Sequence, residues 1–114
     1  MQQLVFYETL RGDKLFQKWL MALKDKRGQR LILARLDRLL FGHYGDCKSL
    51  QRGLYELRIA YGLGYRIYFA KLRSGQVVLL LAGGSKRTQQ RDIESAMVYW
   101  EAFKARCKNE KVDN

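Results

Sequence analysis

Proline is absent from this 114-residue chain, histidine occurs once, cysteine twice, and acidic side chains are half as numerous as basic ones. Each shortage excludes something. With no proline and no stretch that reads as a linker, residues 1–114 form one domain, long enough for a single core and too short for two. The lone histidine, His43, stands in a glycine-flanked turn and cannot supply a two-histidine acid–base pair or a histidine metal cluster. Cys47 and Cys107 have no Cys or His neighbours at ligand spacing, so no zinc site and two reduced thiols are expected. No carboxylate cluster has metal-binding spacing, and neither a metal nor another cofactor is expected. The longest apolar run, Val77–Ala82, is too short to span a bilayer, and MQQLVFYE lacks the basic segment and apolar core of a secretory signal. A cytoplasmic protein with no membrane partner is the expectation.

The scarcity of acid has a consequence of its own. Lys and Arg number 22 against 11 Asp and Glu, a formal charge of +11. Such a field attracts polyanions, nucleic acid first and an acidic protein second. Apolar residues make up 47% of the chain, which places it among folded globular proteins.

Periodicity predicts a first strand over Gln3–Tyr7 and a helix capped by Asp13 with Leu15, Phe16, Trp19, Leu20 and Leu23 along one stripe. Gly28 breaks that pattern, and a second helix is expected from about Gln29, with Ile32, Leu36, Leu39 and Leu40 on its apolar face. A short extended piece around Cys47–Leu50 precedes a hairpin, a tight turn at Ser74–Gly75, and the run QVVLLLA, read as the central, most buried strand. A terminal helix starts near Thr88 with Ile93, Ala96, Met97, Trp100 and Phe103 at helical spacing, and residues 109–114 are expected to fray. Helices and strands are thus segregated: an α+β domain with an antiparallel sheet, helices on one face and the other face open.

The hairpin GLYELRIAYGLGYRIYFA carries the chemistry. Tyr55, Leu57 and Ile59 alternate with Glu56 and Arg58, and Ile67 and Phe69 with Arg66 and Tyr68. Closing the turn over Tyr61–Leu63 makes Arg58 and Arg66 near cross-strand neighbours on the open face, where like charges repel. An anion between them would resolve the conflict. With Ser74–Gly75 as a two-residue turn, Arg66 falls opposite Gly83, and Lys86 and Arg87 project from the same edge. The GGSK of Gly83–Lys86 then reads either as glycines that admit a ligand to the backbone or as a solvated loop. Guanidinium forks match phosphate oxygens, so Arg58, Arg66, Lys86 and Arg87 form a phosphate-holding constellation, with Tyr61 and Tyr68 available to stack. Glu56 serves either as a base or as an ion-pair partner of the arginines.

These same residues carry a resemblance. GLYELRIAYGLGYRIYFA, followed by VVLLLAGGSKRTQQRDIESA and Trp100, resembles the HigB-like "addiction module killer protein" branch of the RelE/ParE toxin superfamily, over most of the chain. The resemblance implies a RelE-like βααβββ(β)α fold and the toxin of a type II toxin–antitoxin pair. It further implies a ribosome-dependent mRNA endonuclease in which the RNA 2′-hydroxyl attacks the phosphodiester. Arg58 matches the basic position of the ELR strand, Arg66 that of the GYR strand, and Lys86 with Arg87 the basic pair after the last strand. On that reading Lys48, Arg52, Tyr68 and Arg91 are further RNA contacts. The implied partners are a helix-turn-helix or acidic antitoxin, the ribosome and mRNA, and operator DNA only through the antitoxin complex. The tyrosine or histidine that several nucleases of the superfamily carry near the carboxy terminus has no match here, which leaves the proton donor unassigned. ParE-like members, which inhibit DNA gyrase by binding it, are the alternative within the same fold.

Overall fold

The chain begins with strand β1 (Gln3–Phe6), crosses one side of the molecule through α1 (Leu15–Ala22) and α2 (Lys26–Leu40), and then enters four consecutive strands. These are β2 (Cys47–Ser49), β3 (Leu54–Ile59), β4 (Tyr65–Leu72) and β5 (Val77–Ser85), followed by a 3-10 turn over Lys86–Thr88 and α3 (Gln89–Asp113). The computed structural model describes residues 1–73 and 75–113. Ser74, half of the expected tight turn, therefore lies outside the described residues. α3 continues to Asp113, through most of the segment expected to fray.

The strands form one sheet in the order β1-β5-β4-β3-β2. β2 to β5 make the expected antiparallel meander, but β1 pairs with β5 in parallel, so the sheet is mixed and not antiparallel throughout. The reason is the helical excursion: α1 and α2 carry the chain away, and the strand that eventually docks beside β1 runs in its direction. β5 lies between β1 and β4, and β4 holds the middle position that had been expected for β5.

Local rules set the helix ends differently from expectation. Asp25 caps α2 by accepting the Gly28 N–H at 3.0 Å, so the helix starts at Lys26 and absorbs Gly28 into its first turn. Glycine is needed there for space: a Cβ would come within 2.6 Å of the Tyr65 ring. Asp13 does not cap α1; its carboxylate binds Lys18 at 2.8 Å, and Lys14 occupies the cap position without a side-chain bond.

Two cores flank the sheet. Phe16 and Leu20 of α1 and Ile32, Leu36 and Leu39 of α2 pack on Leu57, Ile59, Ile67, Phe69, Val78 and Leu80. On the opposite face Ala96 and Trp100 of α3, with Ile93, Met97 and Phe103 beside them, pack on Leu54, Tyr68, Ala70, Leu79 and Leu81. The second face is therefore covered over much of its area, which corrects the arrangement of helices on one face only. A strand apolar on both sides requires cover on both, and the α3 stripe supplies it. Only the end of that face beyond the start of α3 remains for polar side chains.

One irregularity decides what stands at that end. From Leu72↔Val77 to Phe69↔Leu80 the β4–β5 register is the one expected, but the next pair is Tyr68↔Ala82, with Leu81 as an inserted residue. Beyond this bulge Arg66 faces Gly84, one residue later than the expected Gly83. No helix among the described residues is long and apolar enough to cross a membrane.

Candidate functional site

The expected arginine pair exists: Arg58 and Arg66 are direct cross-strand partners beside the Tyr61–Gly64 turn. The protein answers their repulsion with its own carboxylates. Arg58 is bound by Asp46, whose Oδ1 accepts from Nη2 at 3.0 Å and from Nε at 3.3 Å. The Arg58 N–H also donates to the Asp46 carbonyl at 2.9 Å. Arg66 donates through Nη1 to the Gly64 carbonyl at 2.8 Å, and its Nε lies 3.9 Å from Glu56 Oε2 without a hydrogen-bond partner. Exposure separates the two: the Arg58 side chain is 38% accessible, that of Arg66 only 13%.

Glu56 is 1% exposed. Its Oε2 accepts from the Tyr68 hydroxyl at 3.0 Å and from Gln89 Nε2 at 2.8 Å. The ion-pair reading of Glu56 is thus the one realised, and a base open to a ligand on this face is not. Tyr68 is fully buried under α3, so the expected stacking role is also overturned. Burial, reinforced by the neighbouring Glu56 charge, pushes the Tyr68 phenol far above its ordinary range, which leaves it a neutral donor that fixes the carboxylate.

Arg58 is positioned from the other side of the sheet. Arg35 of α2 donates through Nη1 to the Arg58 carbonyl at 2.8 Å and through Nη2 to the carbonyls of Tyr44 at 3.0 Å and Asp46 at 3.4 Å. Burial, followed by the charge of Arg38, lowers its pKa. The loop wraps closely enough that a Cβ on Gly45, whose φ is +65°, would come within 2.8 Å of the Arg35 guanidinium.

The glycines after the bulge make room for protein and not for a ligand. A Cβ on Gly83 would overlap the Trp19 ring of α1, and one on Gly84 would overlap the Asp92 carboxylate of α3. Asp92 also accepts from the Thr88 hydroxyl. Gly83 and Gly84 thus admit neighbouring side chains to the strand β5, in place of either a ligand or a solvated loop. Lys86 and Arg87 are nevertheless exposed beside the arginine pair, on a turn closed by a reciprocal Ser85–Thr88 capping box. The Lys86 N–H donates to the Gly64 carbonyl at 2.8 Å, which ties this turn to the hairpin. Arg91 is 76% exposed, with Nε 3.9 Å from Asp92.

Other expected residues divide. Lys48 is exposed on β2 directly across from Glu56, close to the pair. Arg52 sits at the opposite end of β3, at φ +58°, with its carbonyl accepting from Trp100 Nε1 at 2.8 Å, and does not join the cluster. Tyr61 is engaged with Arg27, whose guanidinium carbon lies 5.5 Å from the ring centre. His43 is exposed. Cys47 and Cys107 are both free and half-buried, and burial pushes the Cys47 thiol up. Among the described residues no three His, Cys, Asp or Glu side chains gather as a metal site.

Sequence reasoning missed Asp46, Arg35, Gln89 and Asp92. Asp46 was reachable, because it continues the β2–β3 ladder in which Cys47 faces Leu57 and so falls opposite Arg58. Arg35 and Gln89 carry no local signal, since their bonds cross from helix to sheet. Counted together, Arg58, Arg66, Lys86, Arg87 and Arg91 outnumber Asp46, Glu56 and Asp92, and the sheet end remains positive after its internal pairs are made.

The chain is thus an α+β protein with a five-stranded mixed sheet, helices on both faces and a basic sheet end. It belongs to the same family as a protein of Haemophilus influenzae (strain ATCC 51907 / DSM 11121 / KW20 / Rd) described as an uncharacterized protein. The two are 49% identical over 81 residues, which is 71% of this chain and 81% of the relative. No family model matches the chain, and no solved structure matches it.

Proposed function

We propose that this chain is the toxin of a type II toxin–antitoxin pair, with a RelE-like fold, and that it cleaves mRNA on the ribosome in the cytoplasm. The observation that carries the reading is the Arg58↔Arg66 pair, flanked by exposed Lys86 and Arg87 and still positive once its own carboxylates are counted. The resemblance of ELRIAYGLGYRIYF and GGSKRTQQRDI to HigB-like toxins supports it.

The roles follow from exposure. Arg58, Lys86 and Arg87 are accessible and contact the scissile phosphate, while Arg66, held by Glu56 and Gly64, contributes its charge from beneath. The RNA 2′-oxygen attacks phosphorus and the bond to the 5′-oxygen breaks. Asp46, 53% exposed and 3.0 Å from Arg58, takes the 2′-hydroxyl proton in place of buried Glu56, and the departing 5′-oxygen is protonated from solvent. An acidic antitoxin segment neutralises the same surface, and operator DNA is bound only through the antitoxin complex.

One observation favours a second reading: both arginines already have carboxylate partners, as a docking surface would. On that reading the protein is a ParE-like inhibitor that binds DNA gyrase. In vitro translation with mapped mRNA ends separates the two. The nuclease reading expects cuts within codons, leaving a 2′,3′-cyclic phosphate and a free 5′-hydroxyl, no cutting at a 2′-deoxy nucleotide, and loss of cutting in Arg58→Ala. Intact mRNA together with blocked supercoiling by gyrase overturns it.

A further inference from the structure

Beside the basic sheet end, β2 and the first turns of α3 enclose a cleft of about 470 Å³. Its apolar wall is Ile93 and Met97 of α3, its polar groups are Ser49, Gln51 and Gln90, and Lys48 stands at its rim. Two of its residues neighbour groups of the candidate site. Lys48 is the cross-strand partner of Glu56, and Gln89, which donates to Glu56 at 2.8 Å, precedes Gln90 in the chain.

We infer that this cleft receives one nucleobase of the RNA whose phosphate lies on Arg58, Lys86 and Arg87. The inference rests on the RNA reading of that site and adds where sequence is read. The chemistry is matched in kind. A nucleobase has flat apolar faces, which the Ile93 and Met97 side chains cover. Its edge carries both donors and acceptors, which a carboxamide satisfies in either sense, since Gln51 and Gln90 each offer a carbonyl oxygen and an NH2. Its own backbone is anionic, and Lys48 is placed to hold the next phosphate. An acidic peptide fits less well, because Lys48 is the one cation among the lining residues and the rest of the wall is apolar or neutral. The sheet-end cations therefore hold the backbone, while the cleft distinguishes bases, the usual division of labour between phosphate and base contacts.

The test places 4-thiouridine at the cleaved position and at its neighbours in an mRNA presented on programmed ribosomes, irradiates it with the full-length protein, and maps the cross-linked residues. Cross-links within residues 48–51 and 90–97 are expected. Gln90→Ala, an exposed position that leaves folding intact, is expected to flatten the nucleotide preference of the cut sites by about tenfold, the value of one edge hydrogen bond. Met97→Trp, which fills the cleft, should remove the cross-links. Cross-links confined to the segments around Arg58 and Lys86, with an unchanged cut-site profile in Gln90→Ala, would overturn the base cleft and leave the RNA reading standing. Absence of any cross-link together with uncut mRNA would overturn both.

Discussion

Replacing Glu56 by alanine tests whether its buried carboxylate is what allows two arginines to share one sheet end. Glu56 is 1% exposed, accepts from Tyr68 and Gln89, and lies 3.9 Å from Arg66 Nε. Alanine leaves the Tyr68 hydroxyl without its acceptor under α3, a penalty of about 1–3 kcal/mol. It also leaves Arg66, mostly buried, facing Arg58 with no counter-charge, and breaking a buried pair in this way costs about 3–5 kcal/mol. Both penalties come from one group and do not simply add, so the expected loss is about 3–5 kcal/mol out of a typical total of about 5–15. At about 4 °C per kcal/mol for a domain of this size, the unfolding midpoint should fall by about 12–20 °C. Asp46→Ala, which breaks an exposed pair, should cost no more than about 1 kcal/mol. Urea and thermal unfolding followed by circular dichroism measure both. The decisive comparison is Glu56→Ala with Arg66→Met added, which removes the stranded charge and should recover about 1–3 kcal/mol. A Glu56→Ala protein within about 1 kcal/mol of the native one, or a double variant whose losses add, would refute the reasoning.

Two further outcomes follow from contacts on the α1 and α2 side of the sheet. Tyr65 donates to Asp25 at 2.7 Å, and burial together with that carboxylate pushes its pKa up to about 12. The folded state therefore holds the phenolic proton more tightly than the unfolded chain, whose tyrosine ionises near its ordinary value of about 10. This contribution to stability is fully present below about pH 10 and is lost as pH rises from about 10 to about 12, so the native protein should lose more stability over that interval than Tyr65→Phe. Equal losses in urea denaturation at the two ends of the interval would contradict it. Arg35→Met, which keeps the packing stem and removes the donors to Tyr44, Asp46 and Arg58, should cost about 2–4 kcal/mol. It should also speed amide hydrogen exchange at Arg58, whereas an unchanged Arg58 amide would mean that Asp46 is held without Arg35.

The sequence disclosed the elements and the pair at the heart of the site, because both rest on local periodicity: alternation in GLYELRIAYGLGYRIYFA puts Arg58 across from Arg66 without further information. What it hid depends on tertiary packing. QVVLLLA is apolar on both faces and so is incompatible with an open sheet face, since Leu79 and Leu81 need α3 as Val78 and Leu80 need α1 and α2. Resolving that conflict would have buried Glu56 and Tyr68 in advance. The bulge at Leu81 has no residue signature, and it moved Gly84 opposite Arg66. Gly83 and Gly84 themselves were legible as close approaches, but what approaches is Trp19 and Asp92. Gly28 looks like a helix breaker in the sequence because its reason, the Tyr65 ring, lies on a strand distant in the chain.

The pairing of β1 with β5 bears on how the chain leaves the ribosome. β1 cannot join the sheet until Val77–Leu80 have emerged, so β1 waits without its neighbour, and the apolar stripes of α1 and α2 wait for the strands they cover, while the intervening residues are made. Non-local pairing of this kind slows folding and leaves apolar surface unprotected in the meantime. It also dates the birth of the basic sheet end. Arg58 and Arg66 can meet once their hairpin closes, but Glu56 acquires Gln89, and the pair acquires Lys86 and Arg87, only after β5 has been made. The basic sheet end is thus assembled only after every strand of the sheet has been made.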